Sequence, residues 1–100
     1  MITLPEDPFI RELLPEFVES WIEEIQRAAP MARAKNKEDL YRLGHTLKGS
    51  AAQFCLPELS QLGIQLMGYA KNAEWEQAIA LSELIRQQFI AINNWLSKNY

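Results

Sequence analysis

A chain of 100 residues with 48% hydrophobic content can enclose one small core and is too short to divide into two, so residues 1–100 are expected to form a single domain. Thirteen acidic against ten basic side chains leave a net charge of −3, with no Lys/Arg block and no aromatic–basic interleaving, and a nucleic-acid partner is therefore not expected. Cys55 is the only cysteine, which rules out an intramolecular disulfide and a multi-cysteine metal site and fits a reducing compartment.

The N-terminal run MITLPEDPF carries two acids and a proline where a secretory signal needs a basic start and a long apolar stretch. No segment approaches the ~18 apolar residues of a membrane span, so the expectation is a soluble cytoplasmic protein without membrane contact. Asp7-Pro8 then signals a helix start: the carboxylate can accept from free first-turn amides, and proline at the first helical position loses no needed donor. Ile10, Leu13, Leu14, Phe17, Val18, Trp21, Ile22 and Ile25 follow at helical spacing. Pro15 cannot donate back to Arg11, which predicts either a short helix followed by a long one or one kinked rod ending near Pro30.

After the polar connection Lys35-Asn36-Lys37, with Asn36 as cap, the second stripe runs through Leu40, Leu43, Leu47, Ala51 and Phe54. Leu56-Pro57 marks the next boundary. Leu59, Leu62, Gly63, Leu66 and Ala70 make a third stripe, in which Gly63 would let two helix backbones approach closely. Beyond the loop Lys71-Asn72-Ala73, the spacing of Trp75, Ala78, Ile79, Ser82, Ile85, Phe89, Ile92 and Leu96 predicts a fourth helix of roughly 24 residues, about 36 Å long. Short connections imply antiparallel neighbours. The fold class is all-α, an up-down antiparallel four-helix bundle with a short or kinked N-terminal helical extension. The tryptophans and most other aromatics fall on these stripes and are expected to fill the core.

The only histidine, His45, belongs to the second helix. At about 100° per residue the apolar residues of that helix occupy an arc of roughly 80°, and His45 falls nearly opposite its middle. Its wheel neighbours are Glu38, Tyr41, Arg42, Lys48, Gly49 and Ala52, a mostly polar set. That position argues against a satisfied core histidine. Gly49 lies on the histidine side, where glycine costs about 1 kcal/mol against alanine and returns nothing in core packing. Room for a partner beside the imidazole would offset that cost, and Lys48, one turn away, suits an anion on or near the ring. The residues alone leave two readings open, an exposed reactive histidine and an ordinary surface one. They argue against metal ligation, since there is no second histidine and no His-Glu-x-x-His. Neither a nucleophile-elbow pattern nor a phosphate-cradling glycine loop is present.

The string Leu43-Gly44-His45-Thr46-Leu47-Lys48-Gly49-Ser50-Ala51-Ala52 closely resembles the signature of the histidine-containing phosphotransfer (HPt) domain family. The likeness extends more loosely from about Phe17 to Phe89, across the connection Ala70-Lys71-Asn72-Ala73-Glu74-Trp75. It implies a four-helix bundle that carries a phosphoryl group between aspartates of response-regulator receiver domains in a multistep phosphorelay, as a phosphocarrier rather than an enzyme. It further implies His45 as the phosphorylated histidine, Lys48 as the basic residue near the phosphoryl group and Gly49 as the small residue leaving space for the receiver. Tyr41, Ala52 and part of the first helix would provide a docking rim, and Lys71 falls near a position that is often basic. The implied partners are receiver domains and a hybrid histidine kinase, with no cofactor of the bundle's own and Mg²⁺ on the receiver. Two other readings of the resemblance are a binding module that docks receivers without transfer and the phospho-accepting domain of a larger histidine kinase. Two residues depart from the pattern. Cys55 stands where the family often has glycine, so a differently shaped turn into Leu56-Pro57 is expected. Met67 stands where many members have a Gln or Glu that accepts from the inner ring nitrogen, and Gln65 points elsewhere on the wheel.

Overall fold

The computed structural model describes residues 3–99, and within them every regular element is helical. Helix α1 spans Pro8–Glu24, a 3₁₀ turn covers Ile25–Arg27, and α2 spans Ala28–Arg33. Helices α3 (Lys37–Gln53), α4 (Pro57–Lys71) and α5 (Trp75–Asn99) follow. The α1–α2 rod packs on α5, α2 on α3, α3 on α4 and α4 on α5, closing a four-membered ring about 40 Å long and 20 Å across. The up-down bundle is thus present, with the α1–α2 rod as its first member.

The starts of the helices are built as their residues dictate. Asp7 accepts from the amides of Phe9 (2.8 Å) and Ile10 (3.4 Å), with Pro8 in the first turn. Asn36 accepts from the Asp39 amide at 3.2 Å. Of the two expected paths, the short helix followed by a long one does not form at Pro15. Helix α1 continues through it, and the irregularity falls instead at Ile25–Arg27. Pro30 fits that position: the 3₁₀ turn re-registers the chain so that Pro30 enters the first turn of α2, where its missing donor costs no intrahelical bond, whereas at Pro15 the helix continues without that bond.

Three helix ends share one device. After α2, α3 and α4 the chain places Lys35, Cys55 and Ala73 in the left-handed region, at φ 56, 58 and 55°. In each case the following amide returns to the helix: Asn36 to Met31 (2.9 Å), Leu56 to Ala51 (2.8 Å) and Glu74 to Tyr69 (2.9 Å). These are Schellman ends made without glycine. The turn at Cys55 therefore matches its two neighbours in shape; the expectation of a differently shaped turn there is corrected, because Cys55 adopts the backbone conformation that glycine takes more cheaply.

The core draws Leu14, Val18, Trp21 and Ile25 from the rod, Leu40, Leu47 and Ala51 from α3, Leu59 and Leu66 from α4, and Ile85, Phe89 and Ile92 from α5. Phe89 sits at its centre, edge-on to Phe17 (6.1 Å) and stacked on Trp21 (6.2 Å). Two expectations fail at the surface: Leu13 is 45% exposed, and Trp95 is not a core residue. The Arg11 guanidinium lies 5.2 Å from the Trp95 ring centre while its Nε donates to the Pro5 carbonyl at 2.6 Å. Segment Thr3–Asp7 is strapped along this end. The Thr3 amide and hydroxyl donate to the two carboxylate oxygens of Glu58 at 2.9 and 2.8 Å. These bonds, the backbone one first, lower the Glu58 pKa.

Candidate functional site

The contact between α3 and α4 positions the site, and glycines make it. A Cβ added to Gly63 would lie 2.7 Å from the Lys48 amide nitrogen and 2.9 Å from the Gly44 carbonyl oxygen. One added to Gly44 would lie 2.9 Å from both the Gly63 oxygen and the Met67 nitrogen. Only glycine allows such an approach of two helix backbones, as expected of Gly63. The Ser60 hydroxyl also donates to the Lys48 carbonyl at 2.9 Å. Residues 44 and 48 thus meet residues 67, 63 and 60 in reverse order, so the helices are antiparallel and His45 stands level with Ile64.

The remaining two glycines behave oppositely. At Gly49 and at Gly68 an added Cβ would meet nothing within 4 Å. Gly49 is therefore no packing glycine, and its cost to α3 has no return inside the bundle.

His45 is exposed on the outer side of α3, with Tyr41, Lys48, Gly49 and Ala52, all exposed, around it on the same face. Tyr41 retains 38% of its surface, a large value for an aromatic side chain. Helical side chains lean toward the N-terminus, so the imidazole tilts over the turn holding Tyr41 while the Lys48 stem leans back toward His45. Lys48 and Lys71 form no ion pair among the described residues; the pairs there are Arg27–Glu24, Arg42–Glu38, Arg42–Asp39 and Arg86–Glu83.

Not every expected residue joins this group closely. Lys71 ends α4, seven residues beyond Ile64, which at 1.5 Å per residue puts it about 10 Å along the bundle from the level of His45. The first helix meets α3 at the C-terminal end of α3. Its exposed apolar side chains, Phe9 and Leu13, lie toward the end where Phe17 stacks on Phe54 at 4.0 Å, and Phe54 is nine residues along α3 from His45. On the other flank of α3 a cleft lined by Glu24, Arg27, Asp39, Arg42 and Thr46 is occupied by ion pairs within each helix.

Met67 is half-buried against Gly44, its Cγ 3.0 Å from where a Gly44 Cβ would be, which seats it beside the residue preceding His45. Gln65 gives its amide to the Tyr69 hydroxyl at 3.0 Å and is engaged on its own helix. Among the described residues no three His, Cys, Asp or Glu side chains gather as a metal site, and no helix is long and apolar enough to cross a membrane.

The family model described as Hpt domain matches residues 11–95. The chain belongs to the Hpt domain family. The match covers α1 through most of α5 and includes the whole α3–α4 contact, so the Hpt bundle and the histidine face are one unit. No curated protein and no solved structure matches the chain. Hpt domains act in histidine phosphotransfer within phosphorelays, as phosphocarriers that meet receiver domains and kinases of two-component systems.

Two residues on the histidine side were not legible from α3 alone. Ile64, 43% exposed, and Gly68 belong to α4 and reach this face through the register that the Gly44–Gly63 contact sets. A signal was present in the sequence: Gly68 is a second glycine of α4, without an apolar-stripe role.

Proposed function

We propose that this Hpt domain carries a phosphoryl group on Nε2 of His45 between aspartates of receiver domains in a multistep phosphorelay. The observation that carries the reading is the open space beside an exposed histidine: a Cβ added at Gly49, one turn from His45, would meet no neighbouring atom within 4 Å. An incoming active site needs that clearance.

In the forward step the lone pair of neutral Nε2 attacks phosphorus of the receiver's aspartyl phosphate. The P–N bond forms as the P–O bond to the aspartyl carboxyl breaks, and the carboxylate leaves with the electron pair while the Nδ1 proton stays on the ring. The reverse sequence delivers the group to a second aspartate. Lys48 supplies positive charge to the phosphoryl oxygens, and Mg²⁺ belongs to the receiver, whose carboxylates hold it. The bundle contributes a nucleophile at fixed geometry and an approach path, with Tyr41 and Ala52 as docking contacts and Lys71 at the rim. Receivers and a hybrid kinase are its partners, and the cytoplasm, where receivers work, is its place.

The test is label transfer from a panel of phosphorylated receiver domains of the same source. Wild type takes up label that is labile in acid and stable in base, as a P–N bond requires, and His45→Gln takes up none. Uptake by His45→Gln at the wild-type rate refutes the assignment. Receiver binding without label would instead favour a docking module, the reading to which the missing carboxamide at Met67 lends weight.

A further inference from the structure

Helix α4 contributes two outward residues that packing does not explain. Ile64 is 43% exposed. Gly68 lies three residues before the last residue of the helix, where glycine is unfavourable, and a Cβ there would meet nothing within 4 Å. Because Gly44 packs against Gly63 and Met67, Ile64 stands level with His45 and Gly68 level with Tyr41. The outer rows of the two helices therefore form one strip, apolar at Tyr41 and Ile64 and cleared at Gly49 and Gly68. Lys48 from α3 and Lys71 from α4 stand on the same side, neither ion-paired among the described residues, in a chain whose net charge is −3.

We propose that the receiver docks across both helices, with Ile64 as an apolar contact, Gly68 as a second clearance, and Lys48 and Lys71 facing the acidic, Mg²⁺-holding pocket. Magnesium sites are built from carboxylates, so such a pocket presents the charge that two free lysines complement. The opposite flank of α3 offers no equivalent, because Arg27 and Arg42 are already paired there. The proposal rests on the reading of His45 as the phosphocarrier.

Its test compares wild type, Gly68→Gln, Ile64→Glu and a control, Leu84→Glu, which alters a similarly exposed (46%) apolar side chain on α5. Three readouts are taken: melting temperature, labelling of His45 by phosphoramidate, which needs no docking, and labelling by a phosphorylated receiver over a range of concentrations. Gly68→Gln and Ile64→Glu should keep phosphoramidate labelling within about twofold yet need at least about tenfold more receiver for half-maximal transfer, a difference of about 1.4 kcal/mol. Gly68→Gln should melt no lower than wild type, and Leu84→Glu should transfer as wild type does. Wild-type receiver dependence in both α4 variants overturns the α4 surface alone. Failure of wild type to take label from any receiver overturns the carrier reading, and this one with it.

Discussion

The same substitution, glycine to alanine, is expected to change stability in opposite directions at Gly63 and at Gly49, fourteen residues apart. At Gly63 the new Cβ would sit 2.7 Å from the Lys48 nitrogen, 2.9 Å from the Gly44 oxygen and 3.0 Å from the Lys48 Cα, all main-chain atoms of a helix that cannot rotate aside. Ordinary contact begins at 3.4 Å, so α4 must retreat by about 0.7 Å, loosening the packing around Leu47, Leu59 and Leu66. Overpacking of this kind costs about 1–3 kcal/mol, and a clash with backbone belongs at the upper end. Alanine's helix preference returns about 1 kcal/mol, leaving a net loss of about 2 kcal/mol. For a domain of this size that lowers the melting temperature by about 8–16 °C. At Gly49 nothing lies within 4 Å, so only the helix preference acts and Gly49→Ala should melt about 4–8 °C higher. Thermal and urea melts followed by circular dichroism decide the matter, provided both transitions are two-state. A Gly63→Ala variant as stable as wild type would show that the α3–α4 contact is looser than these distances, and a destabilised Gly49→Ala would show that the open side of α3 is in fact packed.

Met67→Gln would place a carboxamide acceptor beside the residue preceding His45; transfer should become faster and the imidazole nitrogen shifts should move, whereas unchanged shifts would mean that another group already orients the ring. Ala73→Gly relieves a left-handed alanine at φ 55° in the Schellman end of α4 and should stabilise by about 0.5–1 kcal/mol, read as a higher urea midpoint at unchanged slope. A lower midpoint would show that this chain tolerates the left-handed turn without strain.

How far the fold could be read in advance depended on how local its causes are. The stripes of α3, α4 and α5 and the caps at Asp7 and Asn36 follow from residue spacing and side-chain chemistry within one turn, and they stand where expected. The place of the rod's irregularity did not, because two prolines compete for it and the chain accommodates Pro15 while re-registering ahead of Pro30. Trp95 was misplaced for a tertiary reason: its cover is Arg11, which the strap at Pro5 holds in position. At the site, the outward direction of His45 and the emptiness beside Gly49 were already implied by the wheel of one helix. The α4 half was not, since no wheel gives the register between helices, and that register is what puts Lys71 about 10 Å along the bundle from the level of His45.

On the proposed reading of His45 as the phosphocarrier, the four glycines of the chain, taken by what surrounds them, divide the labour of a transfer site. Gly44 and Gly63 draw two backbones into contact immediately behind His45, so the histidine rides on a helix that is braced against its neighbour as well as hydrogen-bonded within itself. Gly49 and Gly68 leave out side chains on the histidine side of the two helices, and Gly49, in the interior of α3, gives up about 1 kcal/mol of helix stability to do so. Bracing lowers the cost of bringing nitrogen and phosphorus to in-line distance, about 3–3.5 Å, because less motion has to be frozen on docking. Clearance keeps the apolar contact small, confined to side chains such as Tyr41 and Ile64, and a small contact releases its partner readily. A carrier that must exchange one receiver for another needs both properties at once: precise placement of the reacting nitrogen and brief residence of whatever approaches it.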